Sequence, residues 1–396
     1  MMEEEKGVVK LNVIDLFCGA GGMSLGLKQA GFNIIAAMDN WDAAVDCYKA
    51  NFQGHMVYKQ DLSDWREVMR VIQDIKCDMI VGGPPCQDFS EAGDRVEGDR
   101  AELTKSFAKI VAKKHPRYFI MENVPAAQKS KAYKAARAIF KRAGYGLTEV
   151  VLDASLCGVP QRRKRFFCIG SLQNKNRFLT KMLLANQSDL PMTVRDYLKD
   201  EFSFEYYYRH PRTYGRKAIF SVDEPAPTMR GINRPLPKTY KKHEADCADP
   251  KTNDIRALNY KERARIQMFP ADYKWSSQNT ANDQMVGNAV PVGLANYVGR
   301  CLLEYIKTGD SGIPLSFTEW LQRNQHIQKA AAGDNLSRYR RAKRILGNKT
   351  YEELDIENIL LKAAAFKELS KSIQNHLRRA CVLHCAYLRY LKKKER

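Results

Sequence analysis

The sequence has no apolar run approaching the roughly 20 residues that span a bilayer, so no membrane segment is expected. It also lacks any Cys-x-x-Cys pair and any Cys/His quartet at zinc spacing. Its ten cysteines are scattered from Cys18 to Cys385. Neither a metal site nor a disulfide framework is therefore expected, and most of the thiols read as small buried hydrophobes. The single cluster, Cys381-x-x-His384-Cys385, lies in an apolar helical pattern and reads as core packing. Acidic residues are scarce beside basic ones, 45 Asp and Glu against 65 Lys and Arg, which leaves a formal net charge of +20. A chain this basic calls for a polyanionic partner, and nucleic acid is the default. A merely basic proteome is the bland alternative that net charge alone leaves open. The first residues, Met1-Met2-Glu3-Glu4-Glu5-Lys6, are acidic and carry no apolar segment, so a signal peptide is not expected and a cytoplasmic location is.

At 396 residues and 44% hydrophobic content, the chain suits one large domain with one or two smaller units. From Val8 to Gly170, short β-rich runs alternate with helical stretches. Strands are expected at 9–17, 34–39, 57–60, 79–81, 118–121 and 165–169. Helices are expected over 23–30, 43–51, 65–75, 103–113 and 132–143. Such alternation predicts an α/β fold: a Rossmann-like, doubly wound, mostly parallel sheet whose ligands sit at the carboxyl ends of the strands. Residues 171–255 are polar and irregular, with Pro- and Tyr-rich stretches. Periodicity returns at Arg256 and runs through a helix over 293–306. Residues 310–396 are helical in pattern and basic, with 18 Lys and Arg against 9 Asp and Glu.

Asp15-Leu16-Phe17-Cys18-Gly19-Ala20-Gly21-Gly22 places glycines where the first strand gives way to the first helix, so that backbone can approach a ligand closely. A tight NAD-type turn would look similar. The glycine spacing, however, departs from G-x-G-x-x-G, and two acids follow at strand ends. Asp39 is placed to accept from ribose hydroxyls, and Asp61 to read an adenine amino group. Together they point to an adenosine-containing ligand without a pyrophosphate, for which S-adenosyl-L-methionine is the natural candidate.

Gly82-Gly83-Pro84-Pro85-Cys86-Gln87 puts a thiol on a proline-stiffened loop at a strand end. Taken alone, Cys86 is as readily an inert loop thiol as a nucleophile. Glu122-Asn123-Val124 brings a carboxyl to the same rim, where burial would raise its pKa and let it donate a proton. Gln161-Arg162-Arg163-Lys164-Arg165 adds cations. These groups suit methylation at C5 of cytosine, which must first be made electron-rich by a thiolate adding at C6. The base cannot react inside a stacked duplex and must be flipped out.

In order, DLFCGAGG (15–22), GGPPCQDFS (82–90), ENV (122–124), QRRKR (161–165), 256–270 and QMVGNAVP (284–291) resemble the bacterial cytosine-5 DNA methyltransferases of restriction–modification systems, over roughly 11–306. The resemblance implies Cys86 as nucleophile, Glu122 as the acid at N3, and Arg163 and Arg165 as supporting arginines. It implies S-adenosyl-L-methionine, leaving as S-adenosyl-L-homocysteine, held by Phe17, Gly19, Gly21, Gly22, Asp39, Asn40, Asp61, Leu62, Pro84, Leu103 and Asn288. Related enzymes often carry a bulkier residue at the position of Asn40, and Trp41 could share that contact. Residues 256–309 would then return to complete the catalytic domain with 1–170, and 171–255 would form the target-recognition domain on double-stranded DNA. Gln87, Ser90, Arg209, Arg212, Arg216, Arg230 and Arg234 are expected to touch DNA there, with Tyr206–Tyr208, His210 and Thr228 as further groove readers. Phosphate contact alone is an equal alternative for each arginine. The basic segment 310–396 is expected to be a helical extension that adds non-specific DNA affinity, contacts a partner, or is simply a solvated face. A monomer is expected, with any cognate restriction endonuclease encoded separately. A tRNA cytosine methyltransferase shares the PPCQ loop, but the Cys-Phe-Thr element that usually marks that branch does not occur in 171–255. The intact Cys86, Glu122 and Arg165 argue against a catalytically silent DNA-binding regulator.

Overall fold

The computed structural model of the chain describes residues 10–85, 99–211, 215–309, 315–347 and 353–394. Cys86, Gln87, Ser90 and Arg212 lie outside the described residues. Strand β1 (Asn12–Leu16) is followed by α1 (Gly22–Ala30), β2 (Asn33–Asp39), α2 (Asp42–Asn51), β3 (Met56–Lys59), α3 (Trp65–Ile72), β4 (Met79–Gly82), α4 (Asp99–Lys114), β5 (Tyr118–Asn123) and α5 (Lys131–Arg142). Then come β6 (Gly146–Asp153), β7 (Gln161–Arg162) and β8 (Lys164–Ser171). The main sheet runs β3-β2-β1-β4-β5-β8-β6. Its first five strands are parallel, and β8 and β6 close it antiparallel. The strand order reverses direction between β1 and β4. In a doubly wound sheet that switch point opens a crevice at the carboxyl ends of the strands.

The central strands read as continuous apolar runs because both faces are covered. All six residues of β5 are buried. On one face Ile14, Leu16, Phe107, Phe119 and Phe140 form a core, with Phe119 stacked on Phe140 at 4.1 Å. On the other, Cys18, Tyr48 and Phe52 pack with Phe269, Met285 and Val286. The later residues of that cluster belong to α8 (Tyr260–Ile266), α9 (Asn279–Asn288), α10 (Val292–Thr308) and their links, preceded by α6 (Thr180–Ala185) and α7 (Val194–Leu198). Strand β6 was not anticipated. It lines the sheet edge with mixed polar and apolar residues, and its Glu149 bonds Tyr133 and Arg137.

Between α7 and α8 lie β9 (Tyr206–Tyr208), β10 (Ile219–Ser221) and β11 (Ala226–Pro227). Strands β9 and β10 form an antiparallel pair, and β11 lies parallel to β7. Tyr207 and Tyr208 are 1% and 2% exposed. They are core residues and not groove readers, which corrects the sequence expectation for both.

By compactness the chain divides into two units: Met1–Leu183 with Pro191–Lys307, and Leu184–Leu190 with Thr308–Arg396. Residues 191–255 thus cluster with the sheet. The second unit holds α11 (Phe317–Asn324), α12 (Lys329–Leu346), α13 (Ile356–Lys362), α14 (Ala364–Lys367) and α15 (Lys371–Lys394). Its core contains Tyr339, Leu360, Leu377, Cys381 and Cys385, and His384 stacks on Tyr339 at 3.7 Å. Asp189 reaches Arg340 at 3.5 Å and His384 at 3.7 Å within this unit. No helix among the described residues is long and apolar enough to cross a membrane.

The return of 290–299 to α1 depends on glycines. A Cβ on Gly26 would stand 2.3 Å from the Val292 carbonyl oxygen and 2.6 Å from the Ala295 Cβ. In an open helix Gly→Ala gains about 1 kcal/mol. Here crowding reverses the sign, and Gly26→Ala is expected to lose about 1–3 kcal/mol in urea unfolding. A variant more stable than the parent would contradict this packing.

Candidate active site

The turn after β1 is shaped by left-handed backbone. Phe17, Gly19 and Gly21 have φ of 61°, 54° and 86°. For a phenylalanine this conformation costs about 1–3 kcal/mol and must be imposed by its surroundings. Part of that imposition comes from Asp39 at the end of β2. Its carboxyl accepts the Gly19 N–H at 2.9 Å through one oxygen and the Trp41 N–H at 3.0 Å through the other. A Cβ on Gly19 would meet nothing within 4 Å, so the turn is open at that residue, while Gly21 and Gly22 pack against Phe52 and the Val290 carbonyl. Asn40, Asp61 and Asn288 are exposed, and Phe17 and Leu103 are half-buried. Asp61 accepts the Ser63 N–H at 2.9 Å, and the carbonyl of buried Leu62 accepts Ser106 Oγ at 2.6 Å, fixing α4. These residues, with Gly22 and buried Pro84, follow the carboxyl ends of β1 to β4 or close α9, and an open glycine turn flanked by strand-end acids fits an adenosine-type cofactor.

A hydrogen-bonded chain runs beneath the turn. Ser24 Oγ donates to Asp15 Oδ2 at 2.6 Å, the Tyr48 hydroxyl donates to Ser24 Oγ at 2.8 Å, and His55 Nε2 lies 3.1 Å from that hydroxyl. Asp15 is 1% exposed, and burial raises its carboxyl from 3.8 to about 7.

Further along the same rim, Asn123 Nδ2 donates to the Pro84 carbonyl at 3.0 Å, tying the proline loop to β5. A Cβ on Gly83 would lie 3.1 Å from Glu122 Oε2, a tight contact that shows how close the loop runs to the acid. Glu122 is 7% exposed and pairs with Arg165, Nε to Oε1 at 2.8 Å. Burial pushes the Glu122 carboxyl above the usual range, while Arg165 and then Arg163 pull it back. Burial also lowers Arg165, with Glu122 opposing it. Cys86 follows Pro85 in the chain, outside the described residues.

Arg163 is 1% exposed and turns its donors to main-chain carbonyls: Met229 at 2.7 Å, Gly287 at 2.8 Å and Ala289 at 3.1 Å. Arg209 donates to the Thr228 carbonyl at 2.8 Å, and Arg230 donates to the His210 carbonyl. Thr228 Oγ1 itself donates to the Arg162 carbonyl at 2.9 Å. His210 is held low by partial burial and by Arg234, Arg230 and Arg209, which places those three cations around it. Arg216 and Arg234 are exposed. Sequence reasoning missed Gln161, Arg263 and Gly287 as organisers of this region. Their role is to hold backbone, and no motif advertises that.

A doubly wound sheet with a glycine turn at its switch point, and a buried carboxyl–guanidinium pair on the same rim, suits an α/β enzyme with its site at the strand ends. Residues 11–304 match the model of the C-5 cytosine-specific DNA methylases, and the chain belongs to that family. It is 47% identical over 298 residues to the Type II methyltransferase M.HindV of Haemophilus influenzae, covering 75% of this chain and 98% of that one. It is 48% identical over 297 residues to the Type II methyltransferase M.HgiDI of Herpetosiphon aurantiacus, covering 75% and 95%. Among solved structures, the S. pombe Dnmt2 methyltransferase aligns with a TM-score of 0.58 at 21% identity, covering 75% of this chain and 99% of that one, a likeness of fold alone. The enzyme is a DNA cytosine-5 methyltransferase of the restriction–modification type. The helical unit from Thr308 onward lies beyond the family match.

The folded chain keeps the Asp15 proton at pH values where the unfolded chain has lost it. Asp15 therefore makes stability fall as pH rises from about 4 to about 7. Asp15→Asn is expected to flatten that part of the stability–pH curve in urea titrations. An unchanged slope would contradict the buried-acid assignment.

Proposed function

We propose that the enzyme methylates C5 of a flipped-out cytosine within a short specific sequence of double-stranded DNA, through a covalent bond between Cys86 and C6. The observation that carries this reading is the buried Glu122–Arg165 pair set against the Gly83–Pro84 backbone that leads into Cys86. S-adenosyl-L-methionine supplies an electrophilic methyl group. Phe17, Gly19, Gly21, Gly22, Asp39, Asn40, Asp61, Leu62, Pro84, Leu103 and Asn288 would hold it, with the Asp39 and Asp61 carboxylates facing its hydroxyl and amino donors.

The thiolate of Cys86 adds to C6 while Glu122 holds a proton at N3, so the electron pair released from the C5–C6 double bond makes C5 nucleophilic. C5 takes the methyl group. Loss of the C5 proton to a base then restores the double bond and expels the Cys86 thiolate. Arg165 orients Glu122 through the 2.8 Å contact and balances its charge when ionised. Arg163 supports the same cluster from behind. Residues 171–255 would recognise the target, using Arg209, Arg212, Arg216, Arg230 and Arg234 in the groove or on phosphates, with Gln87 and Ser90 beside the extruded base. The enzyme would act as a cytoplasmic monomer, with a separately encoded cognate endonuclease and the helical extension outside the chemistry.

With tritiated S-adenosyl-L-methionine, label should pass to duplex DNA and not to tRNA, and Cys86→Ala should abolish it. Label on tRNA alone, or DNA labelling that survives the substitution, would overturn the proposal. Glu122 must keep its proton to assist N3, so kcat should fall as pH rises through its elevated pKa. Glu122→Gln should lose about 10²–10⁴ in kcat together with that alkaline limb. A variant with the parent's rate and pH profile would exclude Glu122 as the acid.

A further inference from the structure

Arg163 leads the fully buried side chains in size among the described residues, yet its guanidinium donates three hydrogen bonds to main-chain carbonyls. The carbonyls come from two places far apart in sequence, Met229 just after β11 and the Gly287–Ala289 turn at the end of α9. Other contacts fasten the same two segments. Gln161 Oε1 accepts the Met229 N–H at 3.0 Å. Arg263, 3% exposed, donates to the Arg230 carbonyl and pairs with Asp283 of α9. A Cβ on Gly287 would stand 2.1 Å from the Gly231 nitrogen, so the two backbones touch with no room for a side chain. Asn288, which the proposed function assigns to the cofactor, sits between the two carbonyls that Arg163 holds.

We propose that Arg163 is a positioning residue that couples DNA recognition to cofactor binding by locking segment 228–231 to the 287–289 turn. The proposal rests on the reading that 228–231 belongs to the DNA-recognising region and Asn288 to the cofactor rim. A planar guanidinium can fix three carbonyls at set separations, whereas the point charge of lysine cannot span them. Burial makes each lost bond costly, so the two segments hold one relative arrangement while Arg163 is present. When DNA selects that arrangement of 228–231, the 287–289 turn is set with it. Linkage then requires DNA and cofactor to tighten each other's binding by the same factor.

Calorimetry with S-adenosyl-L-homocysteine and a short duplex carrying the methylation site, mapped beforehand by bisulfite sequencing, tests this on the full chain. In the parent enzyme, duplex should tighten cofactor-product binding by a factor of about 10, and the reverse titration should return the same factor. In Arg163→Lys, the factor, read as the ratio of affinities with and without the other ligand in the same variant, should fall close to one. A merely structural role would instead weaken both ligands or lower the melting temperature and leave the factor intact, which would overturn the proposal. Thr228→Val, which removes the exposed bond to the Arg162 carbonyl, provides the same reading if the lysine variant does not fold, and should lower the factor part of the way. A parent that binds both ligands with a factor of one removes this proposal alone. A parent that fails to bind one of them removes the underlying assignment of that site as well.

Discussion

A carboxyl and two guanidinium groups can share a dry interior only if their charges face one another and their donors find acceptors. Glu122, Arg165 and Arg163 impose that condition on the first unit. Arg165 meets it through the carboxylate at 2.8 Å. Arg163 meets it by drawing in carbonyls from two remote stretches of chain, at 2.7 to 3.1 Å. The charges that the proposed chemistry needs thereby add polar contacts to the apolar packing that holds the later segments to the sheet. The return is sealed where side chains are absent, at Gly26 against Val292 and at Gly287 against Gly231.

The sheet does the remaining placement. Parallel strands β1 to β5 end on one rim, so the cofactor turn, Asp39, Asp61, the proline loop and Glu122 converge though they are spread over more than a hundred residues. Asp39 holds the left-handed turn from one side, and the proline loop is tied to β5 by Asn123. Both sides of the rim are thus held by short polar contacts to backbone, which suits a site that must present fixed geometry to two different ligands.

Much of this was legible in the sequence. The buried strands announce themselves as apolar runs, and their order with intervening helices gave the doubly wound class. Site residues at strand ends were legible for the same reason, because a turn that must face a ligand is written in glycine, proline and short acids. The antiparallel strand β6 was missed because polar Thr148, buried, and Glu149, half-buried, interrupt its apolar residues. Tyr206–Tyr208 read as groove readers, yet Tyr207 and Tyr208 are buried once β9 pairs with β10. Arg163 and Arg165, two apart, would share a face on one continuous strand. The break between β7 and β8 falls at Arg163 and sends the two side chains to different partners. The docking of Asp189 with Arg340 and His384 joins residues about 150 or more apart and leaves no local pattern to read.

The central claim is that methyl transfer passes through a bond between Cys86 and C6 of the target base. Duplex DNA carrying 5-fluorocytosine at the methylation site tests it directly, because fluorine cannot leave as the C5 proton does and the enzyme stays attached after methyl transfer. Mass spectrometry of the reaction should show a stable protein–DNA adduct that forms only with S-adenosyl-L-methionine, with the modification on the peptide containing Cys86. Absence of an adduct in an active preparation, or an adduct that persists in Cys86→Ala, would contradict the account.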